Sequence, residues 1–495
     1  MICISILQQS RKFAMVDMIN AANQCDLMEI RLDRFEKAPD LKELMKRKTK
    51  PLILSCRRVA DGGFWEGTEN ERLTLLRQCI IEKADYVEIE LDSADQIRPF
   101  PGAKRVIAYT NLQETPRDID EKYTQACEKK PDVIKLMTRA ETPEEAWPLV
   151  QIVAHATIPT VVVGIGKTGL MLSILAKRFG APWTYAALEK GMESYPEQPS
   201  VRELRNIYHI EDIGKGMRFI GVAGVSQDMI VLSALLNHGL KAMGVAYRCL
   251  PMTVGYINTF RKILEAVKVH GVVIGPAYQK KLIEMSAHSD PLAEKYGTTD
   301  YLGQNEDKTW QAYYLFSRAV IRTIEATLAQ KMPSEKPLKG RMTLIVGSSP
   351  MAPMLAWAVR KREGVPIISS MNREVAQQIA HDNKCRFVPF EAIYATAHDL
   401  LILCGEETNH EAEERNLHLS EKEVHANILK STTTVLDLRA YPQATMFQQE
   451  AALRGCSLVH PQHILLQYAQ LLLRLITGKN QTISELPQEV THLIA

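Results

Sequence analysis

A lysine stands inside an apolar, β-branched run, Val133-Ile-Lys-Leu-Met137. Desolvation lowers an ammonium pKa and yields the free amine that attacks a ketone, so Lys135 could form a Schiff base; it could equally be paired with a glutamate of a neighbouring strand. Further charges end other apolar runs: Glu29 and Arg31 after Leu27, Arg57 and Arg58 after Pro51, and Glu88 and Glu90 in Tyr86–Leu91. If those runs are strands of one barrel, all of these charges face a single mouth.

The spacing supports that barrel. Runs at Cys3–Leu7, Leu27–Leu32, Pro51–Cys56, Tyr86–Leu91, Arg105–Thr110, Val133–Met137, Thr160–Ile165 and Trp183–Ala187 read as eight strands, with amphipathic helices such as Glu69–Glu82 and Pro143–Ala154 between them. Eight βα units over residues 1–212 predict a (β/α)₈ barrel with its polar residues at the C-terminal strand ends.

Glycines and a lysine at Asp212–Gly216 separate a second βα series, 217–332, with strands expected at Arg218–Val222, Ala242–Cys249 and Val272–Ile274. Pro333–Gly340 reads as a hinge. A third series, 341–462, begins with strand Met342–Val346, a Gly-Ser-Ser-Pro turn and helix Ala352–Arg362; strands follow at Pro366–Ser370, Arg386–Val388, Leu400–Leu403, Thr433–Leu436 and Ser457–His460. This is the layout of a doubly wound, Rossmann-type nucleotide domain. A C-terminal helix, His463–Gly478, within the tail 463–495 is expected to fold back onto the middle region.

Composition excludes several classes. The 495 residues, at about 150 per domain, allow roughly three units. Hydrophobic residues at 46% and charged residues at 24% argue against disorder. Sixty basic against 58 acidic residues leave +2, too weak a field to argue for nucleic acid or an anionic membrane. Nine scattered cysteines without a C-x-x-C pair read as reduced thiols; with no signal peptide or membrane-length apolar run, a cytoplasmic protein is expected, and neither motif nor spacing suggests a metal. Gly164-Ile-Gly-Lys-Thr168 imitates the end of a P-loop, but the glycine that motif needs five residues before Gly166 is Val161.

Residues 1 to about 212 resemble a type I 3-dehydroquinate dehydratase, a shikimate-pathway lyase. The resemblance rests on Glu29-Ile-Arg-Leu-Asp33, Ser55-Cys-Arg57 with Asp61-Gly-Gly63, Val87-Glu-Ile-Glu-Leu91, Asp132-Val-Ile-Lys135, Gly166-Lys-Thr-Gly169 and Ser194-Tyr-Pro-Glu-Gln198. It implies that Lys135 is the Schiff-base lysine, that Ser5, Glu29, Arg31, Arg57, Ser194 and Gln198 contact the substrate, and that the barrel needs no cofactor. Asp61 stands where the family has a glutamate that orients a catalytic histidine. That histidine's own position is Thr110, whose hydroxyl cannot accept a proton near neutral pH, and His155 sits on a predicted amphipathic helix as a surface or core residue rather than a substitute base. The family's carboxylate-binding Ser-Arg pair is Leu172-Ser173, a loss on the order of 1.5–3 kcal/mol unless Lys167 or Arg178 compensates.

Residues 217–495 resemble a shikimate dehydrogenase, so the chain looks like a bifunctional fusion. Gly303-Gln-Asn-Glu-Asp307, Tyr247 with Pro251, Asn372-Arg373, and Asp437 with Pro442 and Thr445 carry that resemblance. It implies Asp307 as the catalytic aspartate, Asn305 as a substrate contact, and Gly347, Asn372 and Arg373 as an NADP site. Against it, the catalytic lysine segment is Pro276-Ala-Tyr-Gln-Lys280, two residues out of register, and the dinucleotide loop is Gly347-Ser-Ser-Pro-Met-Ala352, with side chains where close approach needs glycine. The sequence therefore points to dehydratase-type chemistry on a small cyclic keto acid, with protons moved by water, Glu90 or another carboxylate, fused to an inactive dehydrogenase-like module. The alternative is a non-catalytic metabolite-binding or scaffold paralogue; a homo-oligomer is compatible with either.

Overall fold

The computed structural model describes residues 1–331, 333–406, 424–480 and 483–494. Compactness divides the chain into two units, Met1–Val225 with Ala246–Val269, and Ser226–Val245 with His270–Ala495.

The first unit contains eight parallel strands: β1 (Ile2–Ile6), β2 (Leu27–Arg31), β3 (Leu52–Ser55), β4 (Tyr86–Glu90), β5 (Lys104–Asn111), β6 (Val133–Arg139), β7 (Thr160–Ile165) and β8 (Thr184–Ala186). Their order, β7-β6-β5-β4-β3-β2-β1-β8, makes a near-closed barrel, as the βα spacing predicts. Side chains two residues apart share a face of a strand, and the interior face is fixed by a buried cluster of Cys3, Leu27, Ile53, Val106, Val133, Val161, Trp183 and Tyr185. The same period turns Ser5, Glu29, Ser55, Glu88, Ala108, Lys135 and Val163 inward one step further along. An apolar floor thus lies beneath a polar layer. β9 (Arg218–Ala223) and β10 (Tyr247–Met252) form a further parallel pair in this unit.

In the second unit, β11 (Val269–Ile274), β13 (Tyr301–Gln304) and β14 (Trp310–Tyr313) are antiparallel neighbours, with β12 (His288–Ser289) parallel to β14. A separate parallel sheet comprises β15 (Met342–Gly347), β16 (Val365–Ser369), β17 (Arg386–Phe387), β18 (Leu400–Gly405), β19 (Thr434–Asp437) and β20 (Ser457–Leu458). Its order, β17-β16-β15-β18-β19-β20, is the 3-2-1-4-5-6 arrangement of a Rossmann sheet. Buried Leu344, Val346, Ile367, Leu401, Leu403 and Val435 form its core. The helix Pro461–Thr477 folds back on the helices Phe316–Lys331 and Gln227–Ala242, where Tyr468 meets Phe316 edge-on at 5.4 Å.

Where β10 begins differs from the expectation. Ala242 is the last residue of the helix Gln227–Ala242, Gly244 turns the chain at φ +64°, and pairing starts only at Tyr247. No helix among the described residues is long and apolar enough to cross a membrane, and none of the cysteines forms a disulfide.

Candidate active site in the barrel

The polar layer is a closed electrostatic network. Lys135, 2% exposed, places Nζ 2.8 Å from Glu88 Oε2 and 3.7 Å from Glu29 Oε1. Arg57 holds both carboxylates, donating from Nε to Glu88 at 2.9 Å and from Nη2 to Glu29 at 2.6 Å. Ser5 and Ser55 donate to Glu29 at 2.7 and 3.0 Å. Burial opposes charge on Glu29, yet Arg57 and Lys135 outweigh it and hold the carboxyl well below its usual range. Two cations and two anions therefore balance within one layer, the condition under which buried charge is tolerated.

Tyr185 on β8 completes this layer. Its ring face lies 4.3 Å from Lys135 Nζ, its phenol oxygen is buried without a hydrogen-bond partner, and burial followed by the nearby carboxylates Glu29 and Glu88 keeps the phenol protonated. Sequence reasoning did not single it out, although strand alternation from Trp183 points it inward.

One step nearer the mouth, Arg31 is spent on Asp33, with Nε to Oδ1 at 2.9 Å and Nη2 to Oδ2 at 2.7 Å. Glu90 is turned to Arg72 and away from the lysine; burial pushes its carboxyl up to about 7 against that guanidinium. This makes Glu88, rather than Glu90, the carboxylate beside Lys135. Thr110 pairs in register with Met137, two residues and so about 7 Å along the strand beyond the Ala108–Lys135 pair. Asp61 accepts from Arg58 Nε at 2.6 Å, so its carboxylate is committed there.

Over the end of β8, Ser194 donates from N and Oγ to Gln198 Oε1 at 2.7 and 2.9 Å. Gln198 is 4% exposed and its Nε2 has no partner, a buried donor left for a ligand. At the positions aligned with the family's Ser-Arg pair, Leu172 and Ser173 are both buried. Leu172 is fully buried, close enough to Gly164 that a Cβ on that glycine would meet Leu172 Cδ1 at 2.5 Å. Arg178, at the last turn of helix Gly169–Phe179, donates to Met217 O at 2.9 Å, at the helix end remote from the mouth. His155 is exposed and bonds Gln151 O, as expected of a surface residue.

The second unit holds a cavity of about 410 Å³ lined by, among others, Asp228, Lys280, Tyr314, Glu406, Arg439 and Tyr441. Asp307 and Asn305 are not on its wall. The structure places them in the exposed turn between β13 and β14, where Asn305 N donates to Thr309 O at 2.8 Å and Thr309 donates from N and Oγ1 to Asp307 at 3.0 and 2.6 Å. Those Thr309 bonds hold the Asp307 carboxyl below its usual range. Lys280 does line the cavity.

At the nucleotide-type sheet, Gly347 has φ +123°, and a Cβ there would lie 2.1 Å from Gly405 O, so the glycine is needed for contact between neighbouring strands. Asn372 caps helix Arg373–Asp382 through Val375 N at 3.3 Å, and exposed Arg373 sits 6.0 Å from the Phe387 ring centroid. Ser348 and Ser370 both donate to Glu406 Oε2, the latter at 2.6 Å, and Met371 N donates to Oε1 at 3.1 Å. Three donors at the ends of β15 and β16 are therefore used by a carboxylate, while Ser349 Oγ in the same loop is buried without a partner; the carboxylate, set where a dinucleotide's phosphates and ribose are expected, is what these residues offer against NADP.

Residues 2–215 match the type I 3-dehydroquinase family. The chain is similar to the chloroplastic bifunctional 3-dehydroquinate dehydratase/shikimate dehydrogenase of Arabidopsis thaliana, 26% identical over 373 residues, which cover 72% of this chain and 62% of that protein. That match spans less than two thirds of the relative's length. The 3-dehydroquinate dehydratase of Methanococcus maripaludis (strain C7) is 29% identical over 223 residues, 42% of this chain and 98% of that protein. A solved structure of dehydroquinate dehydratase and shikimate dehydrogenase from S. pombe aligns over 99% of this chain and 98% of its own, at 15% identity and TM-score 0.45. The chain thus carries a type I dehydroquinase-like barrel followed by a Rossmann-like unit in the order of a dehydratase/dehydrogenase fusion.

Proposed function

We propose that the barrel dehydrates a cyclic β-hydroxy keto acid of the 3-dehydroquinate class through an imine on Lys135. The observation that carries this reading is Lys135 itself: one buried amine, 2.8 Å from Glu88, in a barrel layer whose other polar groups are hydroxyls, carboxylates and one guanidinium. Its similarity to proteins named 3-dehydroquinate dehydratase supplies the substrate class.

The chain's own groups supply each proton step. Lys135 Nζ, relieved of a proton by Glu88, adds to the ketone carbon; Glu88 returns that proton to the carbinolamine oxygen, which leaves as water and gives an iminium, with Glu88 again a carboxylate. The positive nitrogen acidifies the adjacent C–H, and Glu88, already beside Nζ, takes that proton. Electrons shift to expel the β-hydroxyl, which leaves as water with the proton Glu88 returns. Hydrolysis of the imine restores Lys135, so the net change is keto acid to enone plus water. Glu29, fixed by Ser5, Ser55 and Arg57, and Gln198 Nε2 orient the polar ring substituents. With Thr110 at the histidine position and Leu172-Ser173 in place of the carboxylate-binding pair, the reaction is slower than one run by a dedicated base and weaker in binding the acid.

The second unit carries out no hydride transfer in this reading, because a carboxylate is set where NADP's phosphates and ribose are expected. A competing reading, a metabolite-binding protein without turnover, is favoured by the full internal pairing of the barrel charges. Replacement of Lys135 by methionine separates the two. Dehydration of 3-dehydroquinate, followed by the absorbance of the enone, is expected to vanish in Lys135→Met; equal absence in the folded wild type would leave the binding reading.

A further inference from the structure

We infer that Glu406 is a built-in anion seated where the Rossmann sheet would receive a dinucleotide phosphate, so that this chain excludes the cofactor by occupying the seat itself. In a 3-2-1-4-5-6 sheet the pyrophosphate is expected at the loop after the first strand, beside the first and fourth strands where the order reverses, and the ribose at the end of the second strand. These are the ends of β15, β18 and β16. Glu406 follows β18 directly, after Gly405 turns the chain at φ +73°.

Its carboxylate joins both places. Ser348, in the loop after β15, donates to Oε2; Ser370, just beyond β16, donates to the same oxygen at 2.6 Å; and Met371 N donates to Oε1 at 3.1 Å. Ser348 and Ser370 are 5% and 2% exposed, so water does not readily take the carboxylate's place. Ser349 N, a further amide at this helix start, donates to Gly405 O at 3.1 Å. An incoming phosphate would meet a like charge whose donors are charge-assisted and already used. Replacing the chain's own carboxylate by a neutral group releases three donors at once, and they become an anion site.

The test uses the full chain with inorganic pyrophosphate and NADPH as probes. Wild type is expected to show no pyrophosphate-dependent rise in melting temperature and no calorimetric NADPH binding at millimolar concentration. Glu406→Ala is expected to gain both, with NADPH affinity raised at least about tenfold, one decade being the smallest change that calorimetry separates cleanly. Glu406→Gln, which keeps the volume without the charge, supplies the same comparison should the alanine variant not fold. Micromolar NADPH binding by wild type would overturn the inference, as would a folded variant that gains no anion binding. Neither outcome bears on imine formation at Lys135, so this inference and the barrel reaction fail separately.

Discussion

Replacing Glu88 by glutamine tests the proton path without emptying the site. Glutamine keeps the volume and one carbonyl acceptor, but it cannot take a proton from Lys135, 2.8 Å away, or from the carbon next to the imine. Loss of a general base costs about 10² to 10⁴ in rate, or about 2.7–5.5 kcal/mol of barrier. The change also leaves Arg57 and Lys135 facing Glu29 alone. Removing one partner of a buried pair costs about 3–5 kcal/mol, here an upper bound because Glu29 remains 2.6 Å from Arg57. The assay therefore pairs steady-state dehydration of 3-dehydroquinate with a melting curve and with borohydride trapping at high substrate. The expected result is a folded protein whose kcat falls at least about 100-fold while the lysine adduct still accumulates. A folded variant with unchanged kcat would refute Glu88 as the base.

Other expectations follow from the same geometry. Thr110→His places an imidazole on the interior face one step above Lys135, and it is expected to raise kcat about tenfold or more and to rescue Glu88→Gln, as read by the enone assay; no gain in either background would show that the vacant histidine position is not what limits the rate. Glu90 provides a pH signature. Its folded carboxyl sits near 7 against about 4.5 unfolded, so the folded state keeps a proton that the unfolded chain has lost, and stability falls as pH rises between those values. The unfolding free energy of wild type relative to Glu90→Gln should decline by up to about 3 kcal/mol from pH 4.5 to 7 and then level off; a flat difference in denaturant melts would contradict the burial argument.

The barrel was legible because two signals agree. β-branched runs at βα spacing give the strands, and two-residue alternation gives the face, so the sequence alone puts Lys135, Glu29 and Arg57 toward one mouth of the barrel. Partner choice was not legible. Nothing in Asp61-Gly-Gly63 says that its carboxylate is taken by Arg58, and nothing in Val87-Glu-Ile-Glu-Leu91 says that Glu88 meets the lysine while Glu90 faces Arg72. Those assignments depend on Arg58 and on Arg72 of the helix Glu69–Ile81, whose directions only packing sets.

In the C-terminal half, a short motif match competed with turn chemistry. Gly303-Gln-Asn-Glu-Asp307 followed by Lys308 is also a polar hairpin, with Asn and Asp binding their own backbone neighbourhood, and the chain adopts that hairpin with Lys308 at φ +67°. Glu406 had no motif at all. It is the first of two consecutive acids after an apolar strand, and its meaning arises only when Ser348 and Ser370 are brought beside it.

The central claim is covalent chemistry at one buried amine, and the most direct measurement is peptide mapping by mass after incubation with 3-dehydroquinate and borohydride, which reduces an imine to a stable secondary amine. The account predicts one adduct per chain, on the peptide containing Lys135, absent from Lys135→Met and from wild type without substrate. A folded, substrate-saturated wild type with no adduct, or with adducts spread over surface lysines, would contradict it.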